Sequence, residues 1–184
     1  MLACFNGSNQ YLGLTSNSNL PTGNEAYTIE AFVKSGTVNY GGIAGWGTYG
    51  QAGKSNVFAM GSSPQGYRNY HWQSDLVATT RSSAAFSGNW NHVVAQFDGT
   101  TQRIYENGFL LATNTATLSV TGTNNLTIGM ANGNEWFNGC LSNLRIVKGV
   151  AVYSGTSTTA ANFTVPTRFL TATQSSSTNI AAIT

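Results

Sequence analysis

The sequence predicts an all-β protein, two antiparallel sheets packed as a sandwich or jelly roll, with a closed barrel as the alternative. Three observations predict it. Apolar residues recur with a period of two, clusters of Gly, Asn, Ser and Asp separate those runs, and no stretch of ten or more residues combines helical periodicity with caps.

The first clear strand is "YTIEAFV", where Tyr27, Ile29, Ala31 and Val33 share one face and Thr28 and Glu30 the other, as a half-buried strand requires. Thr37 to Ser63 is rich in Gly and aromatics without clear alternation, which predicts long loops around one or two strands. In "GYRNYHWQ", Gly66 to Gln73, the residues Arg68, Tyr70 and Trp72 fall on one face and Tyr67, Asn69 and His71 on the other, with one of the two faces wet. Val93, Ala95 and Phe97 line one side of the segment after Trp90. "DGT" at Asp98 to Thr100 and "ENG" at Glu106 to Gly108 then mark two successive turns, because Asp-Gly and Asn-Gly tolerate the positive φ of tight hairpin loops. Leu126, Ile128 and Met130 repeat the alternation, as do Leu144 and Ile146. After Leu170, "TATQSSSTNIAAIT" holds too few large apolar residues for a core of its own. One domain over residues 1–170 and a Ser/Thr-rich tail over 171–184, extended or ordered only against a partner, are therefore expected.

At 184 residues the chain is long enough for one sizeable core. Charged residues make up 8% of it, against about 25% in an average soluble protein, so solubility rests on hydroxyls and amides. A net charge of +2 over eight Lys and Arg provides no basic stripe, which argues against DNA or RNA as partners. "MLACFNGSNQ" lacks a basic n-region, and no run reaches the roughly 18 apolar residues of a membrane helix. A soluble chain without a signal peptide and without membrane insertion is the expectation. Cys4 and Cys140 stand too far apart for a metal knuckle or a redox pair, so they are either free or joined in one long-range disulfide.

Catalytic patterns are weak. His92, Asp98 and Glu106 fall in one stretch, "WNHVVAQFDGTTQRIYENG", yet Asp98 and Glu106 sit at opposite ends of the strand "QRIYE". At about 3.3 Å per residue they stand well over ~15 Å apart, too far to share a glycosidic bond. "GWGTYG", Gly45 to Gly50, matches a dinucleotide fingerprint in letters only, since no amphipathic helix follows it. "GKS" at Gly53 to Ser55 fails as a phosphate loop because Thr48 stands where the first glycine belongs. Ser, His and Asp are present without a nucleophile-elbow pattern. His71 and His92 have no neighbouring acids in sequence to complete a zinc set, so no metal site is assigned. Calcium stays open to loop carbonyls and amides, although six acids in the whole chain weigh against it.

Aromatic and amide chemistry remains. Trp46, Tyr49 and Trp136 occupy Gly- and Asn-rich contexts typical of loops. An exposed ring beside Asn, Gln or Arg suits a sugar, stacking on its C–H face while amides and guanidinium pair with hydroxyls. The candidate glycan-binding set is Trp46, Tyr49, Arg68, Tyr70, Trp72 and Trp136. For any single ring, core or edge packing is the plainer explanation; the group is more persuasive than its members.

The succession "FNGSNQYL", "YTIEAFVK", "WNHVV", "FDG", "IYENG", "LTIG", "FNGCLSNLRIVKGVAVY" and "FTVPTRFL" resembles the concanavalin A-like, laminin-G-like superfamily, most closely the modules of bacteriophage and marine viral structural proteins. The likeness runs from about Phe5 to Leu170. It implies a two-sheet antiparallel jelly-roll sandwich whose first strand pairs near the last, a topology that would bring Cys4 and Cys140 onto neighbouring strands. It also implies that Trp90, Asn107, Gly108, Gly139 and Arg145 are framework. Glucanases of that family carry Glu and Asp two residues apart on one strand; none of Glu25, Glu30, Asp75, Asp98, Glu106 and Glu135 has such a neighbour. The expectation is a non-enzymatic virion surface protein, a capsid decoration or tail-fibre module made in the host cytoplasm, with a capacity to bind host-surface glycans. Its partners would be other virion proteins, and a homo-oligomer is compatible with that role. A purely structural capsid cement is the alternative, and a glycoside hydrolase the third reading.

Overall fold

The computed structural model describes residues 2–15, 19–36, 40–81, 88–122, 126–168 and 170. The tail expected over 171–184 lies outside the described residues. The strands are β1 (Leu2–Asn6), β2 (Leu12–Leu14), β3 (Tyr27–Ser35), β4 (Gly41–Gly47), β5 (Ser55–Ser62), β6 (Gln65–Tyr70), β7 (Leu76–Thr79), β8 (Asn91–Phe97), β9 (Thr101–Glu106), β10 (Phe109–Thr115), β11 (Leu126–Ile128), β12 (Met130–Ala131), β13 (Glu135–Trp136) and β14 (Asn138–Lys148). They form two six-stranded antiparallel sheets, ordered β1-β14-β3-β8-β9-β10 and β2-β11-β4-β5-β6-β7, with β12 and β13 as a separate hairpin. No helix occurs among the described residues, and none therefore is long and apolar enough to cross a membrane.

The period-two faces pack against each other as a sandwich requires. Tyr27, Ile29, Ala31, Val33, Val93, Ala95, Phe97 and Ile104 of the first sheet meet Ile43, Trp46, Phe58, Met60 and Tyr67 of the second. β1 lies antiparallel to β14 with Cys4 directly opposite Cys140, and their sulfurs are bonded at 2.08 Å.

The structure departs from three expectations. The outer face of β3 is not wet: Thr28 and Glu30 are 0% exposed. After β14 the chain runs back across the first sheet as a strap, laying Val152, Tyr153 and Phe163 on Val94, Tyr105, Leu110 and Val147. Thr28 Oγ1 donates to the Val150 carbonyl (2.9 Å) and accepts from the Val152 amide (3.0 Å), and Tyr105 Oη donates to the Gly155 carbonyl (2.8 Å). A strand buried on both sides keeps its alternation when the second layer is held by hydrogen bonds, so the sequence reads as half-buried.

The second correction concerns Thr37 to Ser63. Two long strands, β4 and β5, fill most of its described part, and every residue of β4 is buried. Glycine is frequent there because another backbone lies close. A Cβ on Gly42 would come within 2.4 Å of the Met130 and Ala131 main chain, so the β12–β13 hairpin can rest on this sheet only where side chains are missing. Leu126, Ile128 and Met130 do not form one strand either: β11 ends at Ile128, and Met130 opens the hairpin.

Candidate functional site

The structure sends His92, Asp98 and Glu106 to three different places. Asp98 stays in its turn, accepting from the Thr100 and Thr101 amides (3.0 and 2.7 Å) and from Arg103 Nη1 (2.7 Å). Partial burial pushes its carboxyl up, but those donors and the Arg103 charge outweigh that and hold it below the usual range. Glu106 is buried between the sheets, where it accepts from Tyr67 Oη (2.8 Å), Thr80 Oγ1 (2.7 Å) and the Arg81 amide (2.9 Å). His92 lies under the strap beside Glu30, 2.9 Å away.

Glu30 anchors the strap. Its carboxylate takes Arg145 through Nε (2.7 Å) and Nη2, His92 through Nε2, and Tyr153 through Oη (2.7 Å). Burial alone would raise its pKa; the His92 hydrogen bond, the Arg145 and His92 charges and the Tyr153 hydroxyl together lower it. The group is sealed from solvent and holds two layers together, so it offers no surface to a substrate.

An accessible site lies on the outer face of the second sheet. Residues of β4 and β5 (Gly45 to Gly47, Trp46 included, with Ser55 and Val57), Thr127, Tyr49 and the hairpin residues Met130, Asn132 and Gly133 line a cleft of about 200 Å³. The Tyr49 ring is 46% exposed and meets the edge of Trp72 at 4.8 Å and 77°. Trp72 is aimed there by a left-handed turn (φ 54°) directly after β6, with the Gly53 amide donating to the carbonyls of His71 and Trp72 (2.6 and 3.1 Å). Ser55 is buried on the cleft wall, and its hydroxyl has no partner among the described residues. Asn132 Nδ2 donates to Glu135 Oε2 (2.8 Å), which sets a half-buried carboxyl just behind the lining. Burial raises the Glu135 pKa against the opposing pull of Asn132 and Arg68. After the effect of burial, the Glu135 charge is the next cause that raises the hydroxyl pKa of both Tyr49 and Tyr70, with Asp75 adding to it at Tyr49. Negative charge from Glu135 thus reaches both hydroxyls, opposed at Tyr70 by Arg68.

The expected set divides accordingly. Tyr49 lines the cleft and Trp72 packs against it from outside the lining. Arg68 and Tyr70 stand side by side on the same outer face of β6, Arg68 sandwiched near Tyr40 (4.7 Å) and Tyr70 (5.6 Å) and donating to Tyr40 Oη (3.0 Å), Tyr70 Oη (3.1 Å) and the Ser63 carbonyl (2.7 Å). Trp136 is no loop residue: it lies in β13 and packs on Tyr11 at 5.8 Å. Trp46 lies in β4 with its ring packed in the core, 2% exposed, and its Nε1 donates to the Pro21 carbonyl (2.9 Å), so it reaches the cleft only as a buried part of the lining. Tyr40, Ser55, Asn132 and Glu135 were missed. Asn132-Gly133 is a hairpin signal of the same kind as Asn107-Gly108 and marks the turn, but nothing in it tells that the turn folds onto β4.

Behind the cleft, a neutral polar chain crosses the core. Asn69 Nδ2 donates to Tyr27 Oη (2.6 Å), Tyr27 Oη lies 3.0 Å from His71 Nε2, and His71 Nδ1 lies 2.7 Å from the Ser55 carbonyl. A carbonyl only accepts, so Nδ1 carries the proton and Nε2 accepts from Tyr27. Burial lowers the His71 pKa from 6.5 to about 4, against the upward pull of its bonds to Ser55 and Gln102. Among the described residues, no group of three or more His, Cys, Asp or Glu is placed to hold a metal ion.

Comparison with known proteins yields one family and a set of folds. A model described as the concanavalin A-like lectin/glucanases superfamily matches residues 6–152. No curated protein matches significantly. Among solved structures, domains LG4-5 of the mouse laminin alpha1 chain superpose with a TM-score of 0.57 at 15% identity, over 79% of this chain and 40% of that one. A Bacteroides ovatus protein described as a candidate carbohydrate-binding protein gives 0.55 at 19%, over 78% and 42%. The CBM40 domain of a Ruminococcus gnavus IT-sialidase, bound to alpha2,3 sialyllactose, gives 0.51 at 18%, over 76% and 92%. The chain thus spans less than half the length of the first two.

Proposed function

This chain belongs to the concanavalin A-like lectin/glucanases superfamily, and from that premise we propose that it is a non-catalytic glycan-recognition module. The observation that carries the reading is the cleft beside the Tyr49–Trp72 pair, where the exposed Tyr49 ring and the Asn132 amide line one concave surface. Rings stack on sugar C–H faces while amides and hydroxyls pair with sugar hydroxyls. The carbohydrate-binding neighbours in this fold support it. No carboxylate lines the cleft, whereas glycoside hydrolysis calls for a pair about 5 to 9.5 Å apart.

The setting we propose is the surface of a viral particle, as capsid decoration or tail-fibre module, because the motif succession resembles virion modules. The test is a broad glycan array run with calcium and again with a chelator. Selective binding that survives chelation and falls at least about tenfold in Trp72→Ala, with unchanged thermal unfolding, supports the reading; a folded protein silent under both conditions overturns it.

A second reading, assembly onto a capsid or fibre protein, is favoured by a separate apolar edge. Leu2, Leu12 and Leu14 are exposed there, beside a groove of about 390 Å³ lined by Ala3, Leu12, Ile128, Leu141, Leu144 and Leu170 among others. Particle incorporation unaffected by Leu12→Asp would count against it.

A further inference from the structure

Resting on the glycan-recognition reading, we propose that the cleft admits neutral sugars and rejects acidic ones, and that Glu135 sets this selectivity. Recognition of a sugar carboxylate needs a cation free to meet it, preferably the fork of a guanidinium. Arg68, the guanidinium described on this outer face, gives three of its four Nη protons to Tyr40, Tyr70 and the Ser63 carbonyl and is held between the two rings. Its Nε is buried, with Gly61 packed close enough that a Cβ there would sit 3.1 Å from it. Lys54, next to Ser55 in sequence, directs its Nζ to Gln51 Oε1 (2.8 Å). Neither cation is among the residues lining the cleft.

The carboxylate side is differently placed. Glu135 is one hydrogen bond from the lining, through Asn132 Nδ2. That bond takes one of the two Nδ2 protons and orients the amide, leaving Oδ1 as an acceptor and one N–H as a donor for sugar hydroxyls, with the Glu135 charge directly behind them. The Asp75 charge also acts at Tyr49. An acidic sugar entering here would meet like charge in a partly desolvated site, where repulsion is least screened. A neutral sugar meets only donors, acceptors and rings.

Matched pairs of immobilised glycans decide the matter: galactose against galacturonic acid, glucose against glucuronic acid, and lactose against alpha2,3 sialyllactose. Neutral members should bind at least about tenfold better than their acidic counterparts. The quantity read is the neutral-to-acidic ratio, which a purely structural role for Glu135 would leave in place. Glu135→Gln should narrow it at least about fivefold, Glu135→Asp should keep most of it, and added salt should shrink it in the native chain alone. A native protein that binds acidic members as well or better overturns the selectivity while leaving glycan recognition standing. A ratio unmoved by Glu135→Gln removes Glu135 from it. Binding to neither member of any pair overturns glycan recognition, and this inference with it.

Discussion

Lowering the pH should destabilise this protein through His71. In the folded chain the ring is fully buried, its Nδ1 proton given to the Ser55 carbonyl and its Nε2 lone pair occupied by Tyr27. A second proton would face a hydroxyl that already donates to it. Burial accordingly takes the pKa from 6.5 down to about 4. The unfolded chain binds the proton near 6.5, so between those values only the unfolded state is protonated and stability falls as pH falls. The contribution is complete above pH 6.5 and lost progressively toward pH 4. Linkage sets the loss at about 2 kcal/mol by pH 5 and about 3 kcal/mol by pH 4. Urea unfolding of the native protein and His71→Gln at half-unit intervals from pH 7 to 4 isolates it, since Glu30 and Asp98 titrate in both proteins and cancel in the difference. The two curves should converge by about those amounts on acidification. Parallel curves would show that His71 protonates in the folded protein as readily as in the unfolded chain, and would refute the sealed network. Because His71 bonds Ser55 and its amide donates to Asp75 Oδ1 (2.7 Å), the same acidification should loosen the strand end that presents Trp72.

Three further outcomes follow from the packing. Glu30→Gln leaves Arg145 charged and buried without its counterion, so denaturant unfolding should report a loss of about 3–5 kcal/mol, whereas Tyr153→Phe, which removes one hydroxyl from the same group, should cost about 1–2 kcal/mol. Cys4 and Cys140 close a loop of 136 residues; on the chain-entropy model, replacing both with Ala should lower stability by up to about 5 kcal/mol, and equal stability of the reduced and oxidised protein would contradict the bond. Gly108 has φ 86° in the turn after β9, and a Cβ there would come within 2.6 Å of the Phe163 carbonyl. Gly108→Ala should therefore destabilise by about 1–3 kcal/mol and raise hydrogen exchange in the strap ahead of the sandwich core.

Much of the fold was legible because strand alternation is a local property. Val93, Ala95 and Phe97 can line one face only if the chain is extended, and Asn107-Gly108 can be nothing else as readily as a tight turn. The core face of β3, the polar and apolar faces of β6 up to His71, and the two turns around β9 are written in residues a few positions apart. So is the weakness of any two-carboxylate reading, since six acids in 184 residues leave few combinations.

What only the tertiary structure decided involves partners far apart in the chain. Glu30 meets Arg145 across 115 positions and Tyr153 across 123, and no local pattern announces that a strap will bury the second face of β3. The same holds for the cleft. Glycines in β4 look like loop residues until the β12–β13 hairpin is found lying on them, and Trp46 and Tyr49, three positions apart, separate into a core ring and a surface ring because a strand ends between them. Sequence determines which residues alternate and which turns are cheap; which faces meet, and hence which aromatic is left for a ligand, is settled by long-range packing that maximises buried apolar area while satisfying every buried charge.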